Sequence, residues 1–286
     1  MSSLLGSAKT AERDDATAAV GTGSRATRVL GVVCLVGLAT LLLFALVLTP
    51  PDQRVDEATN TVVGQFDAVR LLYVHFPTIL VAYLGFVITA VGSGMFLWKK
   101  SIWWDTVAHA AAEVGALFLA LTLVTGIIWG RPIWNTWWEW GDVRVMTTLM
   151  LFLMFLGYLA LRRVPGDPTV RARRAAIVAL ISVLNIPIVN RSVEWWENRT
   201  LHQKSTATEI KWENLTFFTV FFGMVVFTGV FAWLLIHRFR LGWLERQVEG
   251  FDLEQAIRDR RAEVNRADTN PANAPAATAT ARQEST

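Results

Sequence analysis

Six uninterrupted apolar runs, at residues 29–48, 76–98, about 106–129, 145–161, 175–189 and 215–236, constrain this chain more than any other feature. Each approaches or exceeds the helix length needed to cross about 30 Å of hydrocarbon. Lipid offers no partner to a backbone N–H or C=O, so such runs fold as helices. The expected fold is an all-α integral membrane protein, a six-transmembrane-helix bundle. Composition agrees, with only 18% charged residues against about 25% in a soluble domain. The third run contains His109 and Glu113, and the fifth is short and interrupted by Asn185 and Pro187. Inside a bundle such positions face protein rather than lipid. The first run exceeds a signal-peptide core and leads into Thr49-Pro50-Pro51 rather than a small-residue cleavage site, which reads as a retained anchor.

Lys and Arg set the orientation. With the N-terminus inside, 19 basic residues fall on the cytoplasmic side and eight outside, the bias of the positive-inside rule. Both termini are therefore expected in the cytoplasm, with segments 49–74, 130–144 and 190–214 facing outward. The expected organisation is a disordered N-terminus over 1–27, a membrane domain over 28–237, and an amphipathic and disordered tail over 238–286, with disorder over 265–286. In that tail, Leu241, Leu244, Val248, Phe251 and Ile257 suit either a short helix on the inner membrane surface or a solvated helix. The implied partner is membrane lipid and not nucleic acid, since the net charge is only +3.

Five of the 13 Trp fall within residues 129–140, directly after the third run. An interfacial aromatic belt explains one or two Trp per helix end. A loop that is largely indole, namely Trp129, Trp134, Trp137, Trp138 and Trp140, instead suggests a flat platform on which a planar hydrophobic ligand stacks. Gly130 and Pro132 suggest a tight exit from the membrane, and Arg131 and Arg144 bracket the platform as carboxylate clamps. The other outward segments carry one histidine each, His75 and His202. Two neutral imidazoles flanking the indoles on one membrane face fit the axial positions of an iron porphyrin. The single cysteine, Cys34, excludes a CxxCH attachment, so the ligand read from these residues is non-covalent haem b.

The same residues resemble a known family. The stretches Gly115-Ala116-Leu117-Phe118, Leu123-Val124-Thr125-Gly126, Trp129-Gly130-Arg131-Pro132 and Trp134-Asn135-Thr136-Trp137-Trp138 are similar to the tryptophan-rich WWD domain of the CcmC family of cytochrome c maturation. Asn185-Ile186-Pro187-Ile188, Ser192-Val193-Glu194-Trp195-Trp196 and Thr200-Leu201-His202-Gln203 extend the likeness, which covers roughly residues 70–236. The resemblance implies a six-helix haem-handling protein of the cell membrane, inner or plasma, with its WWD segment outside. It implies His75 and His202 as the axial pair and Trp134, Trp137, Trp138 and Trp140 as the platform, with Asp142 among the cofactor-binding residues. It also implies a CcmE-like haem chaperone as acceptor, with a CcmD-like small membrane protein and a CcmAB-like ABC transporter as associates. Family members run from the last Trp into Asp-x-Arg, whereas here Gly141 precedes Asp142 and Arg144, and Glu197 and Arg199 are additional before His202.

Transfer rather than turnover is the expected activity, so the chain is read as a haem-transport component and not an enzyme. Release is expected at His202, which lies on the longer and more irregular segment. Glu139, Asp142, Glu194 and Glu197 either guide a docking partner by charge or neutralise the two clamps. The rival reading is a haem-containing membrane subunit of a quinol-linked oxidoreductase, which needs histidines deep within two or more spans. His109 and Glu113, four apart on one helix face, are either a haem-entry or proton element or a satisfied polar contact. Gly92-Ser93-Gly94 reads as close helix packing.

Overall fold

A computed structural model describes residues 24–56, 58–202 and 214–269. Six helical segments among them are long and apolar enough to cross a membrane, so the expected all-α, six-span architecture is what the chain adopts. Helix α1 (Arg25–Leu43) continues through a π turn (Phe44–Leu48), and α2 (Leu72–Lys99), α3 (Ile102–Trp134) and α4 (Val143–Leu161) follow. The fifth span consists of α5 (Pro168–Val183) and α6 (Asn185–Trp195), and α7 (Asn214–Thr269) is the sixth. The chain divides into a unit ending at Gly242 and a second beginning at Trp243.

Several boundaries depart from the sequence reading for local reasons. Helix α1 begins at Arg25 because the Ser24 side chain accepts the Thr27 amide at 3.3 Å, satisfying a donor of the first turn. The expected disorder over 1–27 otherwise lies outside the described residues, as does that over 270–286. Helix α3 starts at Ile102 rather than near Thr106. Asp105, buried in its first turn, receives two hydrogen bonds from Arg162 at 2.7 and 2.8 Å, which offsets the cost of burying the charge.

The far end of α3 differs too. The tight exit expected at Gly130 and Pro132 is absent, and the helix runs on to Trp134. Proline removes one N–H, but it falls in the last turn. There Arg131 donates to the Asn135 carbonyl at 2.8 Å, and Asn135 takes the left-handed conformation with φ 55°. In the fifth span, Leu184 separates α5 from α6 and Asn185 donates to the Thr147 carbonyl at 2.9 Å. The polar residue expected to interrupt this span thus ties it to α4. Helix α7 is assigned as far as Thr269, so residues 265–269, expected to be disordered, are helical.

Helices α2 and α3 make the closest pair. A Cβ on Gly85 would fall 2.9 Å from the Gly115 Cα, so any side chain there would force the helices apart. Phe86 then stacks on Phe155 of α4 with ring centroids 3.6 Å apart, within a core that includes Val81, Leu119, Leu151 and Tyr158. This contact sets the beginning of α2 beside the end of α3, where the candidate residues lie.

An antiparallel hairpin between α1 and α2 was not anticipated. Strands β1 (Asp52–Asp56) and β2 (Thr61–Phe66) pair with Asp56 opposite Thr61. A 3₁₀ turn (Asp67–Leu71) joins the hairpin to α2. Arg70 in that turn donates to the carbonyls of Ala45 and Thr49, anchoring it to the end of the first span.

Candidate functional site

The first turn of α2 carries His75, and the last turns of α3 supply its surroundings. The His75 Nδ1 lies 3.1 Å from the Thr125 hydroxyl. That hydroxyl donates its own proton within its helix, with the Leu121 carbonyl at 2.8 Å and the Thr122 carbonyl at 3.1 Å. With the hydroxyl proton used in this way its oxygen accepts from the ring, the arrangement in which His75 carries its proton on Nδ1 and leaves Nε2 as a bare donor atom. Trp129 presents its indole edge-on to the His75 ring, with centroids 5.5 Å apart and planes at 64°. Its Nε1 donates to Gln65 Oε1 of β2 at 3.1 Å, coupling the hairpin to the site.

His202 is organised from the start of α4. Asp142 caps that helix by accepting the Val145 amide at 2.9 Å. Its other carboxylate oxygen accepts from the Leu201 amide at 2.7 Å and from the Thr200 hydroxyl and His202 Nδ1 at 3.1 Å each. Asp142 is only 1% exposed. Burial pushes its carboxyl up, but the His202 hydrogen bond, the Val145 and Leu201 amides and the His202 charge outweigh burial and hold it well below the usual carboxylate range. A carboxylate accepts only, so His202 also carries its proton on Nδ1 and presents Nε2. Carboxylate-backed imidazole is a common arrangement around bound metals.

The indoles do not form one flat surface. Trp134 packs against His202 at 4.6 Å with planes at 59°, whereas Trp138 and Trp140 meet edge to face at 5.6 Å. Trp137 and Trp140 are 60% and 73% exposed. The Trp138 Nε1 is buried without a hydrogen-bond partner among the described residues, a donor that a ligand's polar edge would satisfy. Arg131, which is exposed, donates to the Asn135 carbonyl and stands 5.8 Å over the Trp137 ring. Arg144 donates to the Asn190 carbonyl at 3.3 Å.

The acids considered for docking have partners of different kinds, Glu139 accepting the Gly141 amide at 3.1 Å. Asp142 is buried, and Glu194 pairs with Arg191 at 2.6 Å. Glu197 and Arg199 form a short 3₁₀ turn that shortens the path from α6, so His202 reaches Asp142 despite the additional residues. Away from this end, His109 Nε2 lies 3.6 Å from Glu113 as its four-residue spacing predicts, and Arg238 of α7 joins Glu113 at 3.1 Å.

The sequence reading missed Gln65, Thr125 and Thr200 as contributors. Thr125 precedes Gly126 inside a motif already singled out, and a Cβ on Gly126 would fall 3.1 Å from His75 Cε1. A glycine one helix position from a polar residue was the available sign of a close neighbour.

Six spans with two Nε2-presenting histidines set among indoles define a multi-pass membrane protein built around one end of its helices. The family model for heme exporter protein C, CcmC, matches residues 14–253. The chain belongs to the heme exporter protein C family. Heme exporter protein C of Bradyrhizobium diazoefficiens is 37% identical over 194 residues, which cover 66% of this chain and 72% of that protein. Its namesake in Haemophilus influenzae is 34% identical over 195 residues, or 65% and 75% of the two chains. A ccmC-like mitochondrial protein of cytochrome c biosynthesis from Marchantia polymorpha is 35% identical over 167 residues, or 57% and 69%.

Proposed function

We propose that this protein receives non-covalent haem b as cargo at the outer face of the membrane and presents it to a CcmE-like chaperone during cytochrome c maturation. His75 and His202 hold the iron, and Trp129, Trp134, Trp137, Trp138 and Trp140 surround the macrocycle. The supporting observation is that Thr125 and Asp142 occupy the Nδ1 atoms of His75 and His202, so that each ring keeps Nε2 for a metal. The buried donor of Trp138 adds a polar contact for the ligand. Arg131 and Arg144 are the carboxylate clamps of this reading, and Arg131 also lies over the Trp137 ring. A CcmD-like protein and a CcmAB-like transporter are the associates, and the chain handles haem rather than turning over a substrate.

The 19 to eight distribution of basic residues supports placing this end outside and both termini in the cytoplasm. Cysteine placed at Asn135 in a Cys34→Ser background then reacts with an impermeant maleimide on intact cells. Labelling only after lysis contradicts that orientation. The function itself is tested by deletion in a cell with no second maturation pathway. All c-type cytochromes disappear while b-type ones persist, and His75→Ala and His202→Ala fail to restore them. Normal c-type haem staining in the deletion strain overturns the proposal.

A further inference from the structure

The two histidines are fixed by different chemistry. His202 rests on a buried carboxylate that also gathers the Leu201 amide and the Thr200 hydroxyl. His75 rests on neutral groups, the Thr122 backbone carbonyl and the Thr125 hydroxyl, which hydrogen-bonds within its own helix at 2.8 Å and meets the ring at 3.1 Å. Thr125 is 7% exposed, so water does not compete freely for the interaction. Two further groups confine the same ring. Gly126 leaves room for Cε1 where a methyl group would intrude at 3.1 Å, and Trp129, itself tied to Gln65, closes another edge.

We infer that Thr125 is a positioning residue for His75, its hydroxyl accepting from Nδ1–H so that the ring is held as an Nε2 donor, and that this neutral support makes His75 the weaker of the two iron ligands. The inference rests on the reading of His75 and His202 as the axial pair. A carboxylate draws the Nδ1 proton and makes the opposite nitrogen a stronger donor, whereas a hydroxyl does so much less. His202 occupies the irregular segment, but Asp142 holds it, so the ligand yielded first at handover is His75. This replaces the expectation that release begins at His202.

The haem-free protein gives the first test. With ¹⁵N-labelled histidine in detergent micelles, and His75 assigned by its loss in His75→Ala, the wild-type ring shows a single tautomer protonated at Nδ1. Thr125→Ser preserves it, and Thr125→Val, which matches the shape but lacks the acceptor, gives a mixture. In the haem-loaded ferrous protein, carbon monoxide competes for the axial position. Thr125→Val raises its apparent affinity about tenfold, the lower end of what loss of such a support costs a metal ligand, and Thr125→Ser does not. Gly126→Ala acts on the same ring from another side and raises the affinity similarly, which keeps the test available if Thr125→Val does not accumulate.

A wild-type tautomer and carbon monoxide affinity in Thr125→Val or, failing its accumulation, a wild-type affinity in Gly126→Ala overturns the inference, as does a Thr125→Ser protein as impaired as Thr125→Val. A haem spectrum unchanged in His75→Ala overturns the ligand assignment itself. A spectrum changed in His75→Ala but wild-type behaviour in the Thr125 and Gly126 variants overturns only the positioning role.

Discussion

Asp142 and His202 lie 60 positions apart in the chain, yet the carboxylate of one accepts from the ring of the other at 3.1 Å. The same carboxylate caps α4, so one residue both starts a membrane-spanning helix and aims an imidazole. Asp142→Asn keeps the shape and an acceptor but removes the charge. Its haem affinity is expected to fall about 10-fold to 100-fold, measured by haem titration of the detergent-solubilised protein. Asp142→Ala additionally loses the cap, at a cost of about 1 kcal/mol in stability.

Acid weakens the same junction. The Asp142 carboxyl titrates below its ordinary range in the folded protein, so it favours the fold fully above the usual carboxylate range near pH 4. That contribution is lost as the pH falls through the lower, folded-state value. Thermal unfolding followed from pH 6 to pH 3 is expected to show wild type losing stability towards the acid end, and Asp142→Asn losing less. Parallel losses contradict the assignment.

The aromatic residues separate into two groups by their contacts. Trp134 touches His202, whereas Trp137 is mostly exposed and touches Arg131. Trp134→Ala is expected to weaken haem retention and also alter the axial-ligand spectrum. Trp137→Ala is expected to weaken retention alone, by about 0.5–1.5 kcal/mol if the ring stacks on the ligand. Dialysis against an apo-haem acceptor, read with the absorption spectrum of what remains, distinguishes the two.

The number of spans was legible because lipid forces every backbone group into a helix, and the runs are long. Trp129 to Trp140, His75 and His202 stood out by residue type alone. Asp142 stood out within its Asp-x-Arg motif, though not as the support of His202, while Thr125 and Gln65 are ordinary polar residues until the fold brings them to a ring. The long-range pairs Asp105 with Arg162 and Glu113 with Arg238 were hidden for the same reason. The hairpin was hidden by brevity, although the β-branched Val62 and Val63 beside Thr61 carried a weak strand signal. Pro132 misled because it stands only two residues before the last residue of α3, where it removes one hydrogen bond without ending the helix.

Asp105 and Arg162 give a purely structural prediction. Their side chains are 4% and 9% exposed and meet at 2.7 Å, so Asp105→Ala strands a buried guanidinium and is expected to cost about 3–5 kcal/mol. Asp105 precedes Thr125 by 20 residues of α3, about 30 Å along the helix, so any haem retained should keep its spectrum. Denaturant unfolding in detergent, followed alongside the absorption spectrum, checks both parts. A spectrum changed as much as in His75→Ala contradicts the separation of the two ends.

The account depends most on two imidazoles meeting one iron. Low-temperature electron paramagnetic resonance and absorption spectra of the purified, haem-loaded ferric protein test this directly. The prediction is a low-spin bis-histidine signal that His75→Ala and His202→Ala each abolish, with acid-acetone extracting all the haem. A wild-type signal surviving in either alanine variant, or haem that resists extraction, contradicts it.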